Sequence, residues 1–137
     1  MNYEIIHDIK SEDIIYLREI LGWKKISIEQ FDKALNNTMY KVSIKNDKDI
    51  IACGRLIGDY SCKGLLSDIL VNPKYQKQGF GKMIVCELLD MVKNNLKENE
   101  KFQIEASPTN GNREFYIKCG MKYKPENQDG VYIWLEK

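Results

Sequence analysis

The run Gln76-Lys77-Gln78-Gly79-Phe80-Gly81-Lys82 joins two glycines to two lysines at the start of an apolar, helix-patterned segment. That composition suits an anion. The first N–H groups of a helix have no partner inside it and carry partial positive charge. Gly79 and Gly81 let bare backbone approach a ligand without Cβ interference, and Lys77 and Lys82 add charge beside it. The geometry fits a diphosphate. A P-loop does not describe it, because the residue five before Gly81 is Gln76 and Lys82 is followed by Met83. A dinucleotide fingerprint fails as well, since its third glycine falls on Ile84.

Other reactive side chains are scattered. Asp68 is an acid inside an apolar run, and burial there either raises its pKa toward general-base work or reflects a pair with Arg55 or a bond to backbone. Glu105 is the second carboxylate of interest. His7 is the one histidine, a residue type suited to acid–base work, but it stands alone near the chain start and reads as structural. Cys53, Cys62, Cys86 and Cys119 contain no CxxC pair and no histidine at ligand spacing, which argues against a zinc site. They read as reduced, small hydrophobes.

The elements that must position these residues follow from periodicity. Residues 3–7 read as a strand. Ser11 reads as an N-cap, with Glu12 and Asp13 in the first turn and an apolar stripe through Ile14, Ile15, Leu17 and Leu21 that ends near Gly22. Ser27 and Gln30 have capping-box spacing and open a helix over 27–36. Alternation over 39–45 predicts a half-exposed strand, returned by 50–57 after a polar turn. A loop over 58–64 leads to an apolar strand over 65–71, stopped by Asn72-Pro73. A long amphipathic helix spans 81–96, a strand 102–106, a helix 112–118 and a last strand 131–135. The strand–helix–strand spacing in the second half implies a parallel pair, while the first half supplies an antiparallel hairpin. The fold class expected is α/β (α+β), a mixed and mostly antiparallel sheet with a parallel central pair, flanked by helices. At 137 residues the chain reads as one domain.

Gln76, Gly79 and Gly81 match the Q/R-x-x-G-x-G/A signature of the GNAT superfamily of N-acetyltransferases, and Asn72-Pro73-Lys74-Tyr75 precedes it as in that family. Downstream, Glu114-Phe115-Tyr116-Ile117-Lys118-Cys119-Gly120-Met121 resembles the family's second landmark, F-Y-x-K-x-G-F. The segments Gly22-Trp23, Ala34-Leu35-Asn36-Asn37, Gly54 to Asp59 and Asp68-Ile69-Leu70-Val71 resemble a bacterial subgroup that is similar to plant-type serotonin N-acetyltransferases. The resemblance covers about residues 39–135.

It implies a single GNAT domain that moves an acetyl group from acetyl-CoA to the primary amine of a small-molecule acceptor, by direct transfer in a ternary complex. Pantetheine would lie along Leu70 and Val71, bonding their backbone as an added strand, and Gln76, Lys77, Gln78, Gly79, Phe80, Gly81 and Lys82 would take the pyrophosphate. Tyr116 falls at the general-acid position, where its hydroxyl protonates the departing thiolate and meets the cofactor. The base is Asp68 or Glu105. The family often carries an Asn at the position of Thr109 here, so Asn110 or Asn112 would replace its pantetheine contact. Trp23, Phe31 and Tyr40 lie in segments that wall the acceptor cleft in GNAT folds, or else pack the core. Arg55 meets either an acceptor carboxylate or an acidic partner, Asp68 or Asp59.

Charge sets the rivals. With 21 basic against 20 acidic side chains, the net charge of +1 offers no general attraction to nucleic acid or an anionic membrane. A DNA-binding role for the helix around Asn112 is disfavoured on that ground. A catalytically idle acetyl-CoA sensor remains the other-class alternative. The polar N-terminus lacks a signal-peptide core, and no apolar run reaches membrane-spanning length, so a cytoplasmic monomer or homodimer is expected.

Overall fold

The computed structural model describes residues 2–109, 112–125 and 130–137. Its elements are β1 (Glu4–Ile6), α1 (Ser11–Ile20), α2 (Ile28–Asn36), β2 (Tyr40–Lys45), β3 (Ile50–Gly58), β4 (Lys63–Val71), a 3-10 turn (Pro73–Tyr75), α3 (Phe80–Asn94), β5 (Lys101–Ala106), α4 (Arg113–Lys118), β6 (Lys122–Tyr123) and β7 (Val131–Glu136). The seven strands form one sheet in the order β1-β2-β3-β4-β5-β7-β6. Only β4 and β5 run parallel, and every other pair is antiparallel. The mixed, mostly antiparallel sheet with one parallel central pair is the architecture expected from the element order.

Local signals explain most boundaries. The Ser27 hydroxyl accepts the Gln30 N–H at 3.2 Å, and the Gln30 side chain accepts the Ser27 N–H at 3.4 Å, so the capping box opens α2. Ser11 is not a cap. Lys10 takes that place, and the Ser11 hydroxyl donates to Asp32, tying α1 to α2. The expected 58–64 loop is shorter than its composition suggests. Asp59 gathers the N–H groups of Ser61, Cys62 and Lys63, which lets β4 begin at Lys63. These backbone donors, the one from Cys62 foremost, hold the Asp59 carboxyl down at about 2.

The core has two layers, one on each face of the sheet. Ile84, Val85 and Leu88 of α3 pack with Val42, Ile44, Leu56, Leu66 and Ile104. Ile14 and Leu17 of α1 and Phe31 and Leu35 of α2 pack with Cys53 and Leu70 on the other face. The strand expected to be half-exposed is therefore covered on both sides. Ser43 on its second face is 2% exposed, and its hydroxyl donates to the Asp8 carbonyl at 2.7 Å. At Gly54 the helix rests directly on the strand backbone, since a Cβ there would lie 2.4 Å from Ile84 Cγ2.

One irregularity shapes the centre of the sheet. Cys53 pairs with Leu70 but Arg55 pairs with Ser67, so two steps on β3 oppose three on β4. The extra residue makes a β-bulge, and Asp68 within it has a left-handed φ of +52°. Leu66 and Leu70, four apart, consequently join opposite core layers. Pairing of β4 with β5 involves Lys63, Gly64 and Leu65 and stops there, although β4 runs on to Val71 and β5 to Ala106.

Candidate active site

Where β4 parts from β5, a cleft of about 520 Å³ opens. That volume lies in the range of small-molecule sites, about 300–1,000 Å³. Its floor is Ile69, Leu70 and Val71, and one end is the turn into α3. Gln76, Lys77, Gly79, Phe80, Gly81, Lys82, Asn112 and Tyr116 also line it, as does Thr109. Gln78 is exposed and does not line it. Asn110 lies outside the described residues.

The turn is built to leave backbone open. Gly79 sits at the N-cap of α3 with φ +89°, and a Cβ added there would meet nothing within 4 Å. The first bond into the helix runs from the Met83 N–H to the Gly79 carbonyl at 3.1 Å. The N–H groups of Phe80, Gly81 and Lys82 thus lie ahead of the helical ladder, where an anion is favoured. Lys77 is also left-handed, at φ +64°. Gln76 Nε2 donates to the Val71 carbonyl at 3.2 Å and straps the turn to the end of β4.

The two other residues of the run have distinct tasks. The Phe80 ring is 4% exposed and packs edge-on against Tyr3 and Tyr75, at 5.3 and 6.3 Å between centroids. Gly81 is a close-approach glycine, since a Cβ there would meet the Phe115 ring at 3.2 Å. Tyr75 locks this corner to the β2–β3 turn, its hydroxyl donating to Asp49 at 2.7 Å and accepting from Asn46 at 2.9 Å.

Tyr116 closes the far wall. It is 9% exposed, stands edge-on to Phe115 at 5.0 Å, and belongs to the core layer beneath α3. Burial, with a lesser effect of Cys119, pushes its hydroxyl up to about 12. The hydroxyl is therefore protonated across the physiological range. Asn112 precedes α4 and donates from its side chain to Thr109 Oγ1 at 2.9 Å.

The carboxylates lie elsewhere. Asp68 has both oxygens occupied, accepting from Arg55 Nε at 2.8 Å and Arg18 Nη1 at 2.5 Å, and it does not line the cleft. Of its two readings, the geometry corresponds to the buried pair. Arg55 is spent on the same contact and on Thr38 Oγ1 at 3.1 Å, so it does not reach toward an acceptor. Glu105 is bridged by Lys63 at 2.9 Å and Lys124 at 3.0 Å, which holds its carboxyl below the usual range, and it too is off the cleft. His7 pairs with Glu87 at 2.7 Å. Among the described residues no cluster of His, Cys, Asp or Glu has the makings of a metal site, and no helix is long and apolar enough to cross a membrane.

Of the three aromatic wall candidates, only Trp23 lines the cleft. Phe31 lies in the core below it, 2% exposed, and Tyr40 packs into the α3-side layer on the opposite face. Leu21, Ile69, Tyr75, Phe115 and Lys118 also line the cleft and were not singled out from sequence. None was given a role there, although Phe115 and Lys118 are positions of the second landmark and Ile69 and Tyr75 adjoin motif residues.

Comparison at the level of sequence identifies the family. The sequence model of the acetyltransferase (GNAT) family matches residues 4–121. The chain belongs to the GNAT family. It is accordingly an acyltransferase. This GNAT protein is 29% identical over 131 residues to the uncharacterized N-acetyltransferase ycf52-like of Prochlorococcus marinus, covering 89% of this chain and 69% of that protein. Other curated relatives are longer still, the chain spanning 57% of one of them. Among solved structures it superposes on SA2161, a probable acetyltransferase of unknown function from meticillin-resistant Staphylococcus aureus. The TM-score is 0.80 at 26% identity, over 92% of this chain and 95% of that one. A Bacillus subtilis acetyltransferase in complex with CoA shares the fold with a TM-score of 0.67 at 16% identity, covering 99% of each chain.

Proposed function

We propose that this GNAT protein transfers the acetyl group of acetyl-CoA to the primary amine of a small acceptor, directly, within a ternary complex. The carrying observation is the cleft itself. It runs from the β4 edge that β5 leaves unpaired, past the buried Tyr116, to the open N-terminus of α3 flanked by Lys77 and Lys82. The residues present suit the co-substrate at both ends. Leu70 and Val71 offer backbone to a pantetheine arm, and the N–H groups of 80–82 with the two lysines offer charge to a diphosphate.

The chain's own groups supply the remaining chemistry. The amine attacks the thioester carbonyl, the C–N bond forms as the C–S bond breaks, and Tyr116 gives its proton to the departing sulfur. With a hydroxyl held up near 12, Tyr116 is protonated when the thiolate leaves. Neither Asp68 nor Glu105 is placed to take the amine's proton, since each is held by two basic side chains. In this reading the amine enters neutral, the proton it sheds on forming the amide goes to solvent, and solvent reprotonates Tyr116.

Release of CoA thiol, followed with DTNB over a panel of primary amines, tests the proposal. Amine-dependent release together with an acetylated product mass supports it. Tight acetyl-CoA binding with no release on any amine would replace it with the sensor reading.

A further inference from the structure

Asp68 stands in the β3–β4 bulge, three residues beyond Leu65, the last residue of β4 that pairs with β5, and its backbone is left-handed. Aspartate visits that conformation more readily than most residues, but in the middle of a strand something must hold it there. Three contacts do so here. One carboxylate oxygen accepts from Arg55 Nε on β3 at 2.8 Å, and the other from Arg18 Nη1 on α1 at 2.5 Å. The Asp68 carbonyl accepts from the Cys53 thiol at 3.7 Å.

Both arginines are fixed in turn. Arg55 donates to Thr38 and lies 5.8 Å from the Phe31 ring centre. Arg18 lies 5.1 Å from the Trp23 ring and 5.4 Å from that of Phe31, and its Nη2 donates to the Lys24 carbonyl at 3.1 Å. These are distances at which a guanidinium is attracted to an aromatic face. The charged side chains are 13% exposed for each arginine and 3% for the aspartate. A buried charge cluster of this kind contributes little net stability compared with apolar packing of the same volume.

We propose that Asp68 is a positioning residue. Its two arginines pin the left-handed bulge that opens β4 away from β5, and through Arg18 they couple that strand to Trp23, the aromatic wall of the cleft. The strand and the wall are read as thioester and acceptor surfaces on the strength of the proposed function. The pinning is a property of the free protein.

Asp68→Asn tests it. Asparagine tolerates left-handed backbone and keeps the volume, but it turns one acceptor oxygen into an amide donor facing a guanidinium. In the ligand-free protein, amide exchange at Ile69, Leu70 and Val71 should accelerate at least tenfold while the α3 amides keep their wild-type rates. Calorimetric affinity for acetyl-CoA should fall at least tenfold. Uniform acceleration through the whole chain, or none at 69–71, would overturn the proposal. So would a large fall in kcat with unchanged exchange at 69–71, the signature of a base.

Arg18→Lys keeps the charge but loses the fork and the flat face over Trp23. It should raise the acceptor KM at least fivefold with acetyl-CoA KM within twofold. Equal changes in both would contradict the coupling, and this variant decides the matter if Asp68→Asn does not fold. Should wild-type protein bind no acetyl-CoA, the functional reading fails, while the exchange experiment still decides the pinning.

Discussion

The side-chain amide of Gln76 donates to the backbone carbonyl of Val71 at 3.2 Å, closing the corner between the end of β4 and the turn that opens α3. The motif glutamine therefore acts as a strut. Gln76→Ala should leave the fold intact and loosen the turn. A hydrogen bond of this kind contributes about 0.5–1.5 kcal/mol, or about two- to tenfold in acetyl-CoA affinity. Calorimetric titration reads this directly. Wild-type affinity in the variant would show that the turn holds its shape without the strut.

The two motif glycines should part company on substitution. At Gly79 a side chain meets open space but must accept φ +89°, at a cost of about 1–2 kcal/mol. Gly79→Val is expected to lose that much stability and to weaken acetyl-CoA binding at least tenfold, because the branched chain fills the mouth of the cradle. Gly81→Val instead drives into the Phe115 ring and should loosen α4 as well. Urea denaturation beside calorimetry separates the two, with the larger stability loss at Gly81.

Tyr116→Phe should lower kcat by about a hundredfold, within the usual range for a general acid, with acetyl-CoA affinity changed less than about twofold. The variant also carries a stability signature in alkali. The folded-state value of Tyr116 is about 12 against an ordinary 10.0, so the unfolded chain gives up this proton first as pH climbs. Its contribution is complete below pH 10 and is lost as pH rises through about 12. That loss amounts to about 2–3 kcal/mol. Wild-type protein should lose more stability than Tyr116→Phe between pH 9 and about 11.5. Parallel curves would mean the hydroxyl is not buried in solution.

Gly54 offers a test of the core beneath the site. A methyl group there would stand 2.4 Å from Ile84 and 2.7 Å from Ile69, so these side chains, or α3 with them, must shift for Gly54→Ala to fit. Overpacking of this kind costs about 1–3 kcal/mol. Thermal denaturation should show the loss, and a neutral result would mean that α3 does not rest on β3 so closely.

Much of this molecule was legible because its signals are local. The Ser27–Gln30 capping box, the α3 stripe from Ile84 to Val92, and the glycine turn each lie within a few residues, and each appears where periodicity places it. The Arg18–Asp68 pair joins positions fifty apart, which no spacing rule reports. The bulge also hides itself. Leu66, Asp68 and Leu70 read as one face of a regular strand, whereas the inserted residue sends Leu66 and Leu70 into opposite layers. Asp59 shortens a loop by gathering three N–H groups, and β6 at two residues is too short to carry a period. From sequence Asp68 reads either as a free acid beside the cleft or as a partner of Arg55, and only the fold shows that Arg18 is its second guanidinium.

The measurement that bears most directly on the account is amide hydrogen exchange with and without acetyl-CoA at saturating concentration. Binding in the cleft should add protection confined to Leu70 and Val71 on β4 and to residues 79–82 at the start of α3, with the α2 and β7 amides unchanged. Protection elsewhere in the chain, or none at these two places, would contradict it.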